Sequence, residues 1–319
     1  MEADKPEISI LMAVYEPNMD WLSQQLLSLN GQTYPRLRLF LRDDCSPTVP
    51  FEAIRALVSE CITAFPYTIE RNEQNLGSNE TFARLTAEGE GAYFAYCDQD
   101  DIWFPHRISM GYARLQETGA RLCCGDTVVI DATGKQVAGS ICAVRPHHVF
   151  AEGEGLAGTL LFRNFVIGCT MLVERAQAQK CLPFAKTMVH DHFLALMTSL
   201  EGRIAVCHTP LIQYRIHGGN QTGILSGVTD KESYYQRQLH PFTLRMEELR
   251  SRMSHPDLDR AVAWAKGREA HFFHQRGGLS PLWQGRTLNR NTTLFELVAL
   301  RLPKGIFARL VKKIQQGKL

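Results

Sequence analysis

Carboxylates recur at four stations along this 319-residue chain, in an order suited to a single site. Asp43-Asp44 closes an early apolar run. Asp98-Gln99-Asp100-Asp101 closes a second. His190-Asp191-His192 opens a later helix-like run, and Tyr214-Arg215-Ile216-His217 follows a third apolar run. An Asp-X-Asp just beyond a buried strand places acids at the strand's carboxyl end, where open α/β sheets bind ligands. Two neighbouring acids repel unless a divalent cation lies between them, and hard cations prefer oxygen ligands. The usual partner of such a cation is a phosphate, so the stations suggest transfer chemistry on a nucleotide sugar.

Each station also has a plainer reading. Asp43-Asp44 is either a turn, which Asp favours, or a pair in which one carboxylate accepts the imide N–H of a uracil or thymine ring. Three acids in four residues at 98–101 are costly as a mere turn. The expectation there is Mg2+ or Mn2+ on a diphosphate, with the metal stabilising charge on the leaving group. Trp103 is either a pocket wall or core. Arg71-Asn72 and Asn75-Leu76-Gly77-Ser78-Asn79 precede a helix whose first amides either meet a phosphate or serve turn and cap. Asp191, between His190 and His192, is either a surface helix start or the general base for an acceptor hydroxyl. His217 is either a third metal ligand or a satisfied histidine, and Arg215 is suited to offset diphosphate charge.

The elements that must position these residues alternate. Strand patterns at 8–14, 37–41, 67–70, 92–97 and 122–130 are separated by helical patterns at 20–29, 51–65 and 78–87, the last with Ser78 as cap. Another helix starts at Pro105, where a first-turn proline is tolerated. This order predicts an α/β unit with a mostly parallel, Rossmann-like sheet flanked by helices. Residues 134–168 are Gly-rich and irregular, as functional loops often are. A helix is expected over 189–200, then strands at 204–207 and 211–215. After about residue 223 the pattern turns helical. From Lys304 onward the charges are Lys304, Arg309, Lys312, Lys313 and Lys318, with no acid. Ile306, Phe307, Leu310, Val311 and Ile314 share one helical face. That helix either packs on its own domain or lies on an anionic membrane.

Composition narrows the class. The chain is 45% hydrophobic and 21% charged, with a net charge of +2. That is ordinary globular composition and gives no argument for nucleic acid. Nine irregularly spaced cysteines without a Cys-X-X-Cys pair read as reduced core thiols in a reducing compartment. The acidic N-terminus does not read as a signal peptide, and no apolar run reaches membrane-spanning length. A dinucleotide-dependent oxidoreductase would need Gly-X-Gly-X-X-Gly after the first strand, which is absent. A nucleotidyltransferase would typically carry a Gly-rich basic loop after Val14, also absent. Asp100 and Asp191 argue against a non-catalytic binding protein.

Together these residues resemble glycosyltransferase family 2, whose fold is called GT-A. The run from Ile8 to Asn18 is similar to that family's first strand and nucleotide loop, with Glu16-Pro17 interposed before Asn18. Arg42-Asp43-Asp44-Cys45-Ser46 resembles its base-binding Asp-Asp-Gly-Ser, with Cys for Gly. Asn75-Leu76-Gly77 is similar to its Asn-X-Gly turn. Asp98-Gln99-Asp100-Asp101-Ile102-Trp103 resembles its Asp-X-Asp segment, in the form common among bacterial enzymes of surface-polysaccharide synthesis, rhamnosyltransferases included. His190-Asp191-His192-Phe193 stands where the family has its general-base Asp, and Tyr214 to Asn220 resembles a segment of the same subgroup. The likeness covers roughly residues 6–222.

The resemblance implies a GT-A domain over 1–222 and a helical C-terminal region over 223–319. It implies nucleotide contacts from Ala13, Val14, Tyr15, Glu16, Asp43, Asp44, Arg71, Asn75, Gly77, Asp98 and Gln99. Asp98, Asp100 and His217 would hold Mn2+ or Mg2+, and Asp191 would be the catalytic base. Asp101, Trp103, His190, His192 and Arg215 would contact diphosphate, donor or acceptor. The implied partners are a UDP or dTDP sugar donor and a polysaccharide or lipid-linked oligosaccharide acceptor, with inversion by single displacement. The expected location is cytoplasmic, peripheral at the inner membrane face if the C-terminal basic helix touches lipid.

Overall fold

The computed structural model describes residues 5–145, 147–218, 225 and 227–315. The chain divides into two compact units, Met1–Gly218 and Gly219–Leu319. The expected boundary between 222 and 223, and the Gly219-Asn220 end of the last motif, lie outside the described residues.

In the first unit, β1 (Ile8–Val14), α1 (Met19–Asn30), β2 (Leu37–Asp43), α2 (Phe51–Cys61), β3 (Tyr67–Arg71), α3 (Ser78–Glu88) and β4 (Tyr93–Cys97) alternate as the sequence pattern predicts. They form a parallel sheet in the order β3-β2-β1-β4. β1 sits at its centre and is buried on both faces, hence its nearly unbroken apolar run. The start of α3 differs from expectation. Gly77, at φ 81°, is the N-cap, and Ser78 is already helical.

There follow β5 (Ile102–Trp103), α4 (Arg107–Thr118), β6 (Leu122–Ile130), β7 (Gln136–Ala138), α5 (Ile141–Val144) and α6 (Ala157–Leu160). Then come β8 (Leu172–Glu174), α7 (Arg175–Lys180), α8 (His190–Glu201) and β9 (Ile204–Arg215). The sheet continues β4-β8-β6-β9-β5, with β7 on β6. This half is mixed. β6 and β9 are parallel, whereas β8 runs antiparallel to both its neighbours, as β5 does to β9 and β7 to β6. Antiparallel strands need no helical crossover, so a three-residue strand arriving from the irregular loop can insert between β4 and β6. The two strands expected at 204–207 and 211–215 are one bulged strand. Cys207 pairs with Gly125 and Ile212 with Thr127, and Pro210, which has no N–H for the ladder, falls in the bulge.

Strand direction has a consequence for the site. β4 and β6 both oppose β8, so they run the same way, and β9 follows β6. The carboxyl ends of β1, β2, β4 and β9 therefore lie along one edge of the sheet. Arg107 ties this edge together from within. Its buried guanidinium donates to the carbonyls of Cys169 at 2.9 Å and Met171 at 3.1 Å, and stacks 3.6 Å over Trp103.

The second unit is helical: α9 (Lys231–Tyr234), a π-turn over Tyr235–Leu239, α10 (His240–Arg252), α11 (Leu258–Phe272), α12 (Leu279–Gln284), α13 (Arg290–Ala299) and α14 (Lys304–Gln315). Val228, Tyr234, Leu239, Leu300, Phe307 and Val311 form its core. Arg268 and Glu296 make a buried two-bond ion pair at 2.7 and 2.6 Å, and the Tyr234 hydroxyl donates to Glu296 at 2.6 Å. Phe307 and Val311 belong to this core, so the apolar face of α14 packs within its own unit, with Ile306 left exposed. Phe307→Ala should cost about 3–5 kcal/mol of this unit's stability, measured as an earlier melting transition. An unchanged melt would mean that α14 is not docked in solution. Among the described residues no helix is long and apolar enough to cross a membrane.

Candidate active site

At the sheet edge, the ends of β1 and β4 are locked together. The Tyr15 N–H donates to Gln99 Oε1 at 2.8 Å, and Gln99 Nε2 donates back to the Tyr15 carbonyl at 3.0 Å. Glu16, at φ 45°, braces the next loop. Its carboxylate accepts the N–H groups of Thr48 at 2.8 Å and Val49 at 3.3 Å. Asn18 caps α1, accepting from Asp20 at 3.0 Å and Trp21 at 3.2 Å.

The two acids after β2 are internally occupied. Asp43 is buried and accepts the Ser46 hydroxyl at 2.5 Å, with Arg71 Nε at 3.3 Å. Asp44 accepts Asn72 Nδ2 and the N–H groups of Leu76 and Gly77, each at 2.8 Å. Each amide has one hydrogen, so these two serve the turn, the plainer of the two readings, and staple the start of α3 to β2. Cys45 stands at φ 61°, a left-handed conformation that suits glycine. Asn75 lies exposed on the same rim.

Beyond β4 the acids crowd. Ligand atoms of Asp98, Asp101 and Cys169 all lie within 4.8 Å of one another. Burial, then Asp100 and Asp191, push the Asp98 carboxyl up to about 7. Burial, then Asp100 and Asp98, push Asp101 well above the carboxylate range. One Asp101 oxygen accepts the Arg215 N–H at 2.9 Å, while its Oδ2 is buried without a hydrogen-bond partner. Asp100 Oδ2 is 2.7 Å from His217 Nε2. The expected trio Asp98, Asp100 and His217 therefore divides. Asp100 pairs with His217, while Asp98 groups with Asp101 and Cys169. Burial holds the Cys169 thiol protonated, and a protonated thiol is a poor ligand for a hard cation. Crowded acids and an unpartnered carboxylate oxygen fit a divalent cation bound through oxygen.

Four expected contacts lie elsewhere. Arg215 is 1% exposed and supports the acid loop from behind, donating to the Asp100 carbonyl and to Gln24 Oε1, both at 2.8 Å. It does not point its guanidinium at an open face. Trp103 is core, 2% exposed beneath Arg107. His190 is buried against Phe82 and Tyr96, with ring centroids 4.1 and 5.2 Å away, and burial pushes it down to about 3, so it stays neutral. His192 is buried with Nε2 2.6 Å from the Leu160 carbonyl.

Asp191 lies in the first turn of α8. Its Oδ2 accepts the Gly168 N–H at 3.1 Å and its Oδ1 accepts Asn164 Nδ2 at 3.2 Å. Burial pushes its carboxyl up to about 6 against the pull of these bonds. A Cβ on Gly168 would sit 3.1 Å from Asp191 Oδ2, so any larger residue there would crowd the carboxylate. Asn164 and Gly168 were not singled out in the sequence. The only signal was the Gly-rich stretch around them.

Residues 9–176 match the model of the family described as Glycosyl transferase family 2. A glycosyltransferase of Rickettsia prowazekii (strain Madrid E), itself called uncharacterized, is 24% identical over 224 residues, 68% of this chain and 66% of its own length. One from Rickettsia typhi (strain ATCC VR-144 / Wilmington) is 22% identical over the same shares. The matched part thus spans just under two thirds of these relatives. Among solved structures, residues 1–349 of S. aureus TarS in complex with UDP-GlcNAc align with a TM-score of 0.60 at 15% identity, covering 98% of this chain and 92% of that one. The mannosyltransferase PcManGT from Pyrobaculum calidifontis, in complex with GDP-Man and Mn2+, aligns with a TM-score of 0.58 at 11% identity, covering 98% and 85%. At such identities these likenesses show the fold, the mixed α/β GT-A architecture described above. With more than half its length matched by the family model, the chain belongs to glycosyl transferase family 2.

Proposed function

We propose that this protein is a metal-dependent inverting glycosyltransferase that moves a sugar from a UDP or dTDP donor to a hydroxyl of a growing surface polysaccharide or lipid-linked oligosaccharide. The observation that carries the reading is Asp191. It is a half-buried carboxylate with its proton affinity raised to about 6, close enough to the acid loop to raise that of Asp98. A base of that strength beside the acid loop is suited to general-base catalysis near neutral pH. The solved relatives support the donor class, since one holds UDP-GlcNAc and another GDP-Man with Mn2+.

Asp191 takes the proton from the acceptor hydroxyl. The oxygen attacks the anomeric carbon, and the carbon–oxygen bond to the diphosphate breaks, its electron pair leaving with the diphosphate. The new bond forms on the opposite face, which inverts the centre. Asn164 and Gly168 fix the carboxylate in place. The nucleotide lies against Ala13–Glu16, with exposed Tyr15 and the partly exposed Arg71 offering ring face and charge. Asp43, Asp44, Asn75, Gly77 and Gln99 shape that rim. Asp98 with Asp101, or Asp100 with His217, would hold Mn2+ or Mg2+, whose charge would stabilise the departing diphosphate. Nine free cysteines suit the cytoplasm, where we place the reaction.

Calorimetry with UDP, dTDP, GDP and ADP, each with and without Mn2+, tests this directly. UDP or dTDP should bind in a metal-dependent way. Tight GDP binding would overturn the base assignment. Failure of folded protein to bind any of the four would leave a non-catalytic member of the family.

A further inference from the structure

The second unit carries a basic and partly apolar surface of its own. Residues 270–319 contain nine Lys and Arg and a single acid, Glu296. That acid is fully buried against Arg268, so it offsets nothing at the surface. Helix α12 exposes Leu279 (54%) and Trp283 (51%), four residues apart, and α13 exposes Leu294 (43%) and Val298 (64%), also four apart. Residues at that spacing share a helix face. Between the helices lies a cavity of about 420 Å³ lined by Trp283, Arg286, Thr287, Arg290 and Leu294, with no acid among them. Arg286 is held 4.5 Å over the Trp283 ring and donates to the Trp283 carbonyl at 2.9 Å, which fixes its guanidinium at the rim. Arg260 reaches Thr287 Oγ1 at 2.8 Å, with its own charge balanced by Asp257 at 2.8 Å.

We infer that the α12–α13 cavity is a binding site for the phosphate headgroup of an anionic lipid surface, with Trp283, Leu294 and Val298 entering the interface. Arginine forks match phosphate oxygens, and an indole beside aliphatic side chains suits the headgroup level of a bilayer. The exposed apolar pairs select a membrane over a soluble phosphate, which would gain nothing from them. The site lies on α12–α13 and not on α14, whose Phe307 and Val311 are buried.

Flotation of the full chain with phosphatidylcholine vesicles, with and without phosphatidylglycerol, decides it. Anionic vesicles should bind the protein and blue-shift its tryptophan emission, and Trp283→Phe should abolish the shift. Arg286→Gln/Arg290→Gln should bind about 30-fold more weakly, about fivefold for each cation at an anionic surface. Both variants should bind nucleotide as wild type does. Equal binding to neutral vesicles overturns the inference. So does full binding by the arginine variant, or its loss in Lys312→Gln/Lys313→Gln instead. Release by millimolar glycerol phosphate, with the Trp283 emission unshifted, would make the cavity a soluble-phosphate site and overturn the lipid assignment.

Discussion

Asp191→Asn is expected to lower sugar transfer by about 10²–10⁴-fold, the usual contribution of a general base, while leaving UDP affinity near wild type. The amide oxygen can still accept on one side, from Gly168 or from Asn164 and His192 but not from both, and the group cannot take a proton. The wild-type pH profile carries the same signature. Burial raises this carboxyl from 3.8 to about 6. The rate should therefore fall about tenfold per pH unit below 6 and level off above it. The stability effect has the opposite sign to the activity effect. A carboxyl whose folded value lies above its unfolded one favours the fold below pH 3.8 and loses that contribution as pH rises through about 6. At pH 8 the cost is on the order of 3 kcal/mol, and the asparagine escapes it. The variant should melt no earlier than wild type, so inactivity would not reflect unfolding. Turnover near wild type in Asp191→Asn would remove the assignment.

The fold was legible in the sequence wherever periodicity and strand direction were local matters. The β3-β2-β1-β4 half follows from apolar runs alternating with amphipathic helices, because a parallel strand buried on both faces must be apolar throughout. The β8 insertion was not legible. Leu172–Glu174 is only three residues long, and its partners Tyr93 and Leu122 are distant in the chain. The site shows the same division. Strand ends could be read, so the stations were found. The side-chain partners that decide their roles come from elsewhere. Asp44 is satisfied by amides more than 30 residues on, Arg215 by the carbonyl of Asp100, and Asp191 by the Asn164–Gly168 loop. Burial was the other hidden variable. His190, His192 and Arg215 read as functional from their type and position, and Trp103 as either wall or core, yet all four are buried by packing that no local pattern reveals.

Asp98→Asn is expected to stabilise the metal-free protein and to remove most of the stabilisation that Mn2+ gives the wild type. In the metal-free chain, burial and the neighbouring Asp100 and Asp191 raise the Asp98 carboxyl from 3.8 to about 7. Its contribution to stability is present below pH 3.8 and lost as pH rises through 7. At pH 8 the charged form costs on the order of 4 kcal/mol. Removing the charge should then raise the metal-free melting temperature by several degrees. With Mn2+ the wild type gains about 2.7 kcal/mol at a hundredfold excess over its dissociation constant, because the cation offsets the same repulsion. The variant lacks one ligand and gains little. Wild type should therefore be the less stable protein in chelator and recover ground in Mn2+, with transfer in the variant down about 10²–10³-fold. The two donor sets can be told apart by the same melts. His217→Ala should weaken the Mn2+ shift if the cation sits with Asp100 and His217. Asp101→Asn should weaken it only if the ion lies between Asp98 and Asp101. A wild type whose melting temperature ignores both Mn2+ and Mg2+ would mean that the acid loop binds no metal, and that burial and the neighbouring acids alone keep the Asp98 and Asp101 carboxyls raised.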